Sequence, residues 1–476
     1  MSDVGHRTWV LPDHLSARTA LTRPTKTLIA ALAGIAGGAL VAFPGQVLPV
    51  LGTAVTLLYL ASTIDRYVLM INGLNRPALV RISDEEARAI PEEDLPFYTV
   101  LLPVYDEPSI IDNLINGVGR IDYPRDRLEL LLLVEEDDDA TRQALESAQL
   151  RDIRVVLVPH SLPKTKPKAC NYGMSLPGLR GEYITIYDAE DIPEPLQLRR
   201  AVAAFRAAPD DVGCIQAKLG FFNEQQNLLT RWFSMEYTQW FAVVLPALER
   251  ARCVVPLGGT SNHIPARVWH SIGGWDEFNV TEDADLGARL ATHGYRTQIL
   301  DSVTLEEANS DVVNWIRQRS RWYKGYLQTM IVHLRNPAEL RRAIGTKAAL
   351  RFVNMTGGIP MTAIVNLIFG LLLVSWTSGR PSAISLLFPP ITYYLCLVLF
   401  LVGTPLAIFL SFVLVLATGK PYLWWSALLS PLYWGLQSLA AIKAFYQLLF
   451  RPFHWEKTVH GLGTPSTGGT SPGPTG

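Results

Sequence analysis

The residues best suited to chemistry lie in the middle of the chain, and their densest group is residues 317–325. This segment holds four Arg or Lys side chains and two aromatic rings within nine residues. Cations at this density could bind an anionic group such as a diphosphate, and Trp322 could stack on the face of a sugar or a base. A basic helix at a membrane surface would have the same composition, and the spacing alone does not separate the two interpretations.

A second group consists of carboxylates that follow a strongly apolar segment. Asp188, Glu190 and Asp191 have the spacing with which acids at the end of a strand can converge on one divalent cation. Mg²⁺ or Mn²⁺ held in this way would bridge phosphate oxygens. The alternative is a helix N-terminus whose acids remain solvated ahead of Pro193.

A third group, Thr281-Glu282-Asp283-Ala284-Asp285, stands directly before a helical pattern. A threonine followed by acids is common at helix N-termini for structural reasons alone. A carboxylate at this position could instead act as a general base, which takes the proton from an attacking hydroxyl. The residues by themselves are compatible with both roles.

Two further polar segments could bind parts of a nucleotide. Residues 164–168 are basic and suited to phosphates, whereas residues 135–139 are acidic, follow an apolar segment and could bind a ribose or a base. Solvated loops would have the same composition. The sequence contains no GxxxxGKS/T, GxSxG or HExxH pattern, which argues against P-loop ATPases, serine hydrolases and zincins.

Short apolar segments alternate with helical patterns from residue 98 onward, and these elements must position the polar groups. The predicted strands cover residues 98–102, 128–134, 153–158 and 183–187. The predicted helices lie near residues 108–119, 140–149, 167–176 and 195–206. Apolar strands that alternate with helices are typical of a mostly parallel sheet covered on both faces, in which ligands bind beyond the carboxyl ends of the strands. The polar groups fall at those ends.

Both ends of the chain are rich in apolar residues, which make up 49% of the whole sequence. We predict two transmembrane helices in residues 27–70, after a polar segment at 1–26, and three to four in residues 350–450. Cations flank the first pair on its outer sides, so the positive-inside rule places the middle of the chain in the cytoplasm. A cytoplasmic tail at 451–476 then requires an even number of C-terminal crossings, which favours a break near residues 403–405.

Charge and cysteine content limit the remaining classes. The net charge is −1, so no overall field favours nucleic acid as a partner. The four cysteines are widely scattered and form no CxxC pair, which supports neither a zinc site nor a disulfide framework. They are typical of buried thiols in a reducing compartment. Nothing in the sequence identifies a protein partner.

Taken in order, these segments resemble the membrane-embedded family 2 glycosyltransferases, the group that contains the cellulose, chitin and hyaluronan synthases. The similarity runs from Tyr98 to Trp322. Pro103-Val104-Tyr105-Asp106-Glu107 is similar to a P-x-Y-N-E nucleotide motif, and Lys166-Pro167-Lys168-Ala169-Cys170-Asn171 to a diphosphate motif. Asp188-Ala189-Glu190-Asp191 resembles the D-x-D metal motif, Thr281-Glu282-Asp283 the T-E-D motif, and Gln318-Arg319-Ser320-Arg321-Trp322 the Q-x-x-R-W motif.

This resemblance implies an α/β GT-A domain with a Rossmann-like fold at residues 82–335, cytoplasmic and flanked by transmembrane α-helices. It implies that Asp283 is the catalytic base, with Glu282, Gln318, Arg321 and Trp322 around the reaction centre. The residues it assigns to the nucleoside diphosphate are Tyr105, Glu107, Glu136, Lys166, Lys168, Asp188 and Arg321. It assigns Mg²⁺ or Mn²⁺ to Asp188, Glu190 and Asp191.

Two segments depart from the family pattern or match it only loosely. The family's first aspartate pair is replaced by Glu135-Glu136, which leaves open which acid binds the nucleoside. Trp455-Glu456-Lys457-Thr458 is similar to a W-x-T gating loop that closes over the nucleotide in the chitin and hyaluronan branch.

The implied activity is inverting transfer of a sugar from a nucleoside diphosphate to a growing β-linked polysaccharide, which leaves the cell across the plasma (inner) membrane. UDP-glucose is the favoured donor, and UDP-N-acetylglucosamine and GDP-mannose are the other candidates. The alternative activity is a single transfer to a lipid acceptor in the bilayer.

Overall fold

The computed structural model describes residues 11–19, 21–148, 150, 152–377, 379 and 388–451, and the centre of this part is a mixed sheet of nine strands. In chain order the strands β1 to β9 are Leu79–Val80, Tyr98–Val104, Leu128–Glu135, Ile153–Val158, Tyr183–Ile186, Ile192–Pro193, Val212–Phe221, Asn262–Pro265 and Arg296–Glu306. Their order across the sheet is β1-β9-β7-β8-β5-β2-β3-β4, and β6 pairs with the far part of β9.

The half of the sheet formed by β4, β3, β2 and β5 is parallel throughout, as predicted. Nearly every residue of β2 and β3 is buried, because helices cover both faces of this half. Burial on both faces explains why these strands are continuous apolar segments that could be located from the sequence. The four predicted strands are confirmed, with ends shifted by up to two residues.

The other half of the sheet was not predicted. β7 and β9 are the longest strands and pair in parallel, but both mix polar and apolar residues. Their polar side chains are satisfied inside the domain: Gln197 bonds to Ser302 and Thr304 at 3.2 and 3.1 Å. The short β8 runs antiparallel between β5 and β7 and makes the sheet mixed.

The helices of the described residues are numbered here in chain order. Helices α1 to α7 are Arg23–Ala42, Pro44–Asn75, Asp84–Arg88, Ile111–Gly119, Asp139–Ser147, Lys166–Met174 and Gln197–Ala207. Helices α8 to α14 are Leu228–Gln239, Leu245–Arg250, Ala266–Ser271, Glu282–Thr292, Val312–His333, Pro337–Ile344 and Thr346–Val353. Helices α15 to α19 are Ile359–Thr377, Pro390–Val398, Thr404–Ala417, Trp424–Leu428 and Ser430–Phe450. The four helices predicted within the α/β domain correspond to α4, α5, α6 and α7.

Short irregular helices complete these elements. Single 3₁₀ turns lie at Ala17–Thr19, Glu92–Asp94, Pro108–Ile110, Arg125–Arg127 and Pro421–Leu423. Three π-helical segments, Trp240–Val244, Asn354–Gly358 and Leu399–Gly403, join α8 to α9, α14 to α15 and α16 to α17. Each pair therefore continues as one long helix.

Four helices of the described residues are long and apolar enough to cross a membrane: Arg23–Ala42, Pro44–Asn75, Thr346–Leu371 and Pro390–Ala417. The first two correspond to the pair predicted in residues 27–70. The break predicted near residues 403–405 is wrong, because Pro390–Ala417 is a single helix. Its π-helical segment accommodates Pro405, and the hydroxyl of Tyr67 donates to the carbonyl of Gly403 at 2.7 Å. Tyr67 on α2 thus provides a hydrogen-bond partner for the carbonyl of Gly403, a backbone group that a break in this helix would have exposed.

Ion pairs join these helices to each other and to the sheet domain. Asp65 on α2 pairs with Arg351 on α14, and Lys420, just beyond α17, pairs with Glu224, which follows β7. Helix α19 packs on α12 and α15, and the hydroxyl of Ser438 donates to the carbonyl of Ala363 at 2.6 Å. The loop predicted at residues 455–458 lies outside the described residues, as does most of the predicted tail.

Candidate active site

The carboxyl ends of the central strands meet at one pocket with a volume of about 540 Å³. Tyr105 and Glu107 follow β2, Glu135 ends β3, Asp188 follows β5, and Glu306 ends β9; all five line this pocket. Position beyond the strand ends is where the sequence placed the ligand site. The predicted site residues Glu190, Glu282, Asp283, Gln318, Arg321 and Trp322 also line it, as does Lys166.

Lys166 and Asp188, to which the resemblance assigns the diphosphate, meet at one wall of the pocket. Lys166, the first residue of α6, contacts the Asp188 carboxylate and donates to the carbonyl of Gly259 at 2.7 Å. A methyl group added at Gly259 would lie 3.5 Å from Oδ2 of Asp283 and 3.8 Å from Nζ of Lys166. The cation therefore lies close to two of the acids that the sequence singled out.

Asp191 belongs to the same acidic turn but does not line the pocket. Its Oδ2 accepts the N–H of Asp188 at 2.8 Å and the hydroxyl of Thr260, and the residue is 3% exposed. Burial and the neighbouring Asp188 carboxylate raise the pKa of Asp191 well above its usual range. Asp188 and Glu190 are thus the two acids of the motif that face the pocket, and Asp191 holds their turn in shape.

Glu282 and Asp283 lie at the N-terminus of α11, close to the helix that carries the Q-x-x-R-W residues. A methyl group on Gly325 of α12 would lie 2.4 Å from the hydroxyl oxygen of Thr281, so glycine is required for this approach. Burial and the adjacent Asp283 raise the pKa of Glu282 to about 7. Burial raises the pKa of Asp283 to about 6, against the opposing effects of the Ala284 N–H and of Lys166.

These raised values predict how activity depends on pH. A general base works only when deprotonated, so a base with a pKa near 6 is active above that pH and is lost as the pH falls through it. We expect the rate at pH 5 to be about tenfold below the rate at pH 7.5, because one pH unit below the pKa leaves roughly a tenth of the base ionised. The measurement is the initial rate of the sugar transfer that the resemblance implies, at saturating donor, between pH 5 and 8. A flat profile across this range would contradict the assignment of the base.

Helix α12 presents Arg321 to these acids and also places Gln318 and Trp322 in the pocket wall. Arg321 lines the pocket and faces the carboxylates of Glu282, Asp188 and Asp283. Burial lowers the pKa of Arg321, and these carboxylates oppose that effect. Gln318 accepts from the Asn309 amide at 2.9 Å and so is fixed at the rim. Trp322 lies beside the rings of Phe233 and Tyr237, with centroid distances of 5.8 and 6.2 Å.

Arg319, between those residues, has a structural role that the sequence did not assign. Its guanidinium donates to both carboxylate oxygens of Glu236, at 2.8 and 2.5 Å, and lies 4.6 Å from the centroid of the Trp322 ring. A buried bidentate ion pair that stacks on Trp322 restricts the orientation of that ring. Arg321 faces Glu282, Asp188 and Asp283, whereas Arg319 pairs with Glu236 and Arg317 is exposed.

Two residues assigned to the nucleotide lie elsewhere. Glu136 is exposed and accepts the N–H of His160 at 3.4 Å, while its neighbour Glu135 lines the pocket. Lys168 is 6% exposed and donates to Glu135 at 2.8 Å and to the carbonyl of Pro159 at 2.7 Å. Of the Glu135-Glu136 pair, the structure therefore brings Glu135 to the site, and Lys168 orients it.

Several pocket residues were missed by the sequence analysis. Glu306 faces the acidic turn: burial and the carboxylates of Asp191, Asp188 and Glu190 raise its pKa well above the usual range. It is the last residue of β9, a strand of mixed polarity, so only its position at that strand end could have indicated it. Tyr326 and the carboxylate Glu236 also line the pocket and were missed. Tyr237 and Trp240 line it as well; they belong to residues 225–250, an aromatic helical segment whose rings the sequence allows either in the core or along a sugar path.

Comparisons with known proteins show similarity to glycosyltransferases. Residues 96–325 match the family described as "Glycosyltransferase like family 2". Over 260 residues the chain is 26% identical to the probable glycosyltransferase YdaM of Bacillus subtilis (strain 168), an alignment that covers 52% of this chain and 60% of that protein. The chain thus spans less than two thirds of the length of this relative.

A solved structure extends the similarity to most of the chain. The mannosyltransferase PcManGT from Pyrobaculum calidifontis, in complex with GDP-Man and Mn²⁺, matches with a TM-score of 0.55 and 19% sequence identity. The match covers 85% of this chain and 99% of that structure. At this level of identity the similarity describes the fold.

Proposed function

Because residues 96–325 form a glycosyltransferase family 2 domain with the predicted α/β GT-A fold, we propose that the chain transfers a sugar from a nucleoside diphosphate to a growing β-linked polysaccharide and exports it. The observation that supports this most is the pocket itself. It joins the strand ends, where nucleotides bind in such folds, to Ile359 at the start of α15, within a candidate membrane span. The proposed donor site and the side of the domain next to the candidate membrane span therefore share one pocket.

The donor binds on the strand side of this pocket. Tyr105, Glu107 and Glu135 contact the nucleoside, and Lys166 and Arg321 lie where the diphosphate enters. Lys166 and Arg321 already face carboxylates of the protein. When the donor binds, the negative charge of its diphosphate takes the place of these carboxylates beside the two cations. As the bond to the sugar breaks, charge accumulates on the diphosphate, and fixed cations stabilise it.

The acidic turn fits a divalent cation of the kind found with nucleotide sugars. Mg²⁺ characteristically takes one or two protein carboxylates and completes its shell with substrate phosphates and water. Asp188 and Glu190 are two such carboxylates at the pocket wall, which is enough for this mode of metal binding. No cluster of three metal-binding side chains occurs among the described residues. Bound Mg²⁺ or Mn²⁺ would neutralise diphosphate charge.

Asp283 performs the proton transfer. Its carboxylate accepts the proton of the acceptor hydroxyl, whose oxygen bonds to the anomeric carbon while the bond from that carbon to the diphosphate breaks. Attack occurs on the face opposite the leaving group, so an α-linked donor gives a β-linked product. Glu282 and Lys166 set the charge around the base, and the nucleoside diphosphate leaves with the bonding electron pair.

The acceptor occupies the membrane side. Trp322, Tyr237, Trp240 and Tyr326 line this part, and aromatic rings offer the apolar faces on which sugar rings stack. A row of rings suits consecutive sugars of a chain. Contact of the pocket with Ile359 also suits a second candidate, a lipid acceptor whose head group reaches the site from the bilayer.

The size of the product separates the two candidates. The purified protein in detergent or nanodiscs is incubated with labelled UDP-glucose and Mg²⁺ or Mn²⁺, and the product is resolved by gel filtration before and after organic extraction. A water-soluble polymer supports the polysaccharide. An extractable product with one sugar assigns the lipid acceptor and excludes processive synthesis.

Substitution of Trp322 predicts a change in product length. Trp322→Ala removes the stacking surface but no charge, and stacking on an aromatic side chain contributes about 1–3 kcal/mol in comparable sites. We expect donor affinity, measured by calorimetry, to remain within about twofold, while the mean product length falls by about tenfold or more. Trp425→Ala, a change of an exposed tryptophan outside the pocket, is the control. Lost donor binding with normal product length would contradict the role of Trp322.

The membrane arrangement follows the same reasoning. Lys420, just beyond α17, pairs with Glu224 next to β7, and α2 leads directly to β1 of the sheet. Each apolar hairpin therefore enters and leaves the bilayer on the side of the catalytic domain. This suits a multi-pass protein of the plasma membrane whose active site faces the cytoplasm, where nucleotide sugars are made.

A further inference from the structure

Residues 11–19, called here the N-terminal strap, pack against the catalytic domain although they precede the first membrane helix. Leu11, Ser16 and Ala17 are 7%, 3% and 0% exposed, values typical of a protein core. The strap is a loop with a single 3₁₀ turn at Ala17–Thr19. Its burial therefore depends on contacts with the domain.

The strap binds the loop that leads to the catalytic base. Asp276 accepts the hydroxyl of Ser16 at 2.8 Å and the N–H of Ala17 at 2.6 Å, one with each carboxylate oxygen. The same carboxylate accepts the N–H of Phe278 at 3.2 Å. Leu11 packs on Gly273, where a methyl group would lie 2.8 Å from the leucine side chain.

The strap also binds the end of α12. Arg335, two residues beyond that helix, donates to three strap carbonyls: Asp13 at 2.7 Å, Ser16 at 3.1 Å and Thr19 at 2.6 Å. One guanidinium thus satisfies backbone groups along most of the strap. Bonds from a charged donor are stronger than those between neutral groups.

Both anchors lead directly to the reaction centre. The loop between Trp275 and Thr281 is bonded to α6, since Thr165 donates to the carbonyl of Glu277 at 3.0 Å, next to Lys166. It is bonded to α12 through Asn279 and Thr329 at 2.8 Å. The loop ends at Glu282 and Asp283, while α12 carries Arg321 and Trp322.

We infer that the N-terminal strap is a positioning element of the active site: it joins the loop before Asp283 to the end of α12 and so fixes the base relative to Arg321. Asp276 and Arg335 are the positioning residues. A strap that only attached the domain to α1 would need one point of attachment. This strap has two, one on the loop before Asp283 and one at the end of α12, and the distance between these two elements matters for catalysis. Misplacement of reacting groups by about 1 Å can lower rates by about a hundredfold.

The test combines a structural and a kinetic measurement on the full-length protein. In Arg335→Ala and in Asp276→Asn, we expect the amides of residues 277–283 to exchange hydrogen about tenfold faster, because a charge-assisted bond is lost. We expect kcat to fall by about tenfold, with the donor KM unchanged, since the phosphate-binding residues remain in place. Arg335→Lys, which retains the charge, restores part of kcat.

A double variant and a control complete the design. If both residues act through the strap, Asp276→Asn with Arg335→Ala reduces kcat no further than the stronger single change. Arg342→Ala, a change of an exposed arginine on α13, leaves both measurements as in the wild type. Unchanged exchange in the loop, or unchanged kcat in both single variants, overturns the inference. The kinetic part of the test rests on the proposed function. If the wild type transfers no sugar, the proposed function is wrong, and the hydrogen-exchange measurement alone tests whether the strap positions the loop.

Discussion

Replacement of Asp283 by Asn is expected to reduce sugar transfer by about a thousandfold or more while the protein remains folded and binds its donor, because proton transfer by a positioned base contributes up to about 10⁴-fold. Asn has the shape of Asp but cannot accept the proton of the hydroxyl. Asp283 is the acid that faces the pocket beside Gly259 and Lys166, and its raised pKa suits a base that works near neutral pH. Initial rates with saturating donor measure the effect.

Two accompanying measurements make this result interpretable. Asp112→Asn, which changes an exposed acid on α4, should retain wild-type activity. Donor binding by the Asp283→Asn variant, measured by calorimetry, should lie within a few fold of the wild type. Transfer at more than a tenth of the wild-type rate would show that another group takes the proton, and Glu282 is then the next candidate.

Arg321→Ala is expected to lower kcat by about 10²–10³-fold, the usual loss when one fixed stabiliser of developing charge is removed. Arg321 lines the pocket and faces Glu282, Asp188 and Asp283, and the proposed function places the developing diphosphate charge beside it. Lysine should restore little, because an ammonium cannot reproduce the planar guanidinium fork. Steady-state rates and donor affinity for the Ala and Lys variants measure the effect.

The same helix provides a matched control. Arg317 lies one turn before Arg321 and is exposed, so Arg317→Ala removes an equal charge outside the pocket. It should change kcat by less than about twofold. Equal losses in the two variants would mean that the general charge of α12, rather than contact of Arg321 with the diphosphate, supports the reaction.

The half of the sheet that could be predicted is built around two strands that are buried on both faces. β2 and β3 are continuous apolar segments, so their positions and parallel pairing follow from the sequence. β7 and β9 contain buried polar residues such as Gln216 and Ser302, whose partners come from distant segments. No local pattern reports such partners, which explains why these strands were missed.

The site residues also divide into those that sequence motifs could locate and those that they could not. Lys166, Asp188, Asp283 and Arg321 come from four separate elements, and the pocket brings them together as their motifs implied. Motifs do not specify which way a side chain turns: Lys168 binds Glu135, and Glu136 points to solvent. Glu306 stands outside every motif and is identified only by the strand pairing that places it opposite Phe221.

The most direct test of the proposed activity is a donor panel followed by determination of the new anomeric bond. The purified protein is incubated with UDP-glucose, UDP-N-acetylglucosamine or GDP-mannose, with and without Mg²⁺ or Mn²⁺, and the product is analysed by NMR and linkage analysis. We expect metal-dependent transfer from one of these α-linked donors, favouring UDP-glucose, with a β-linkage in the product. An α-linked product, or no transfer from any of the three donors with metal present, would contradict it.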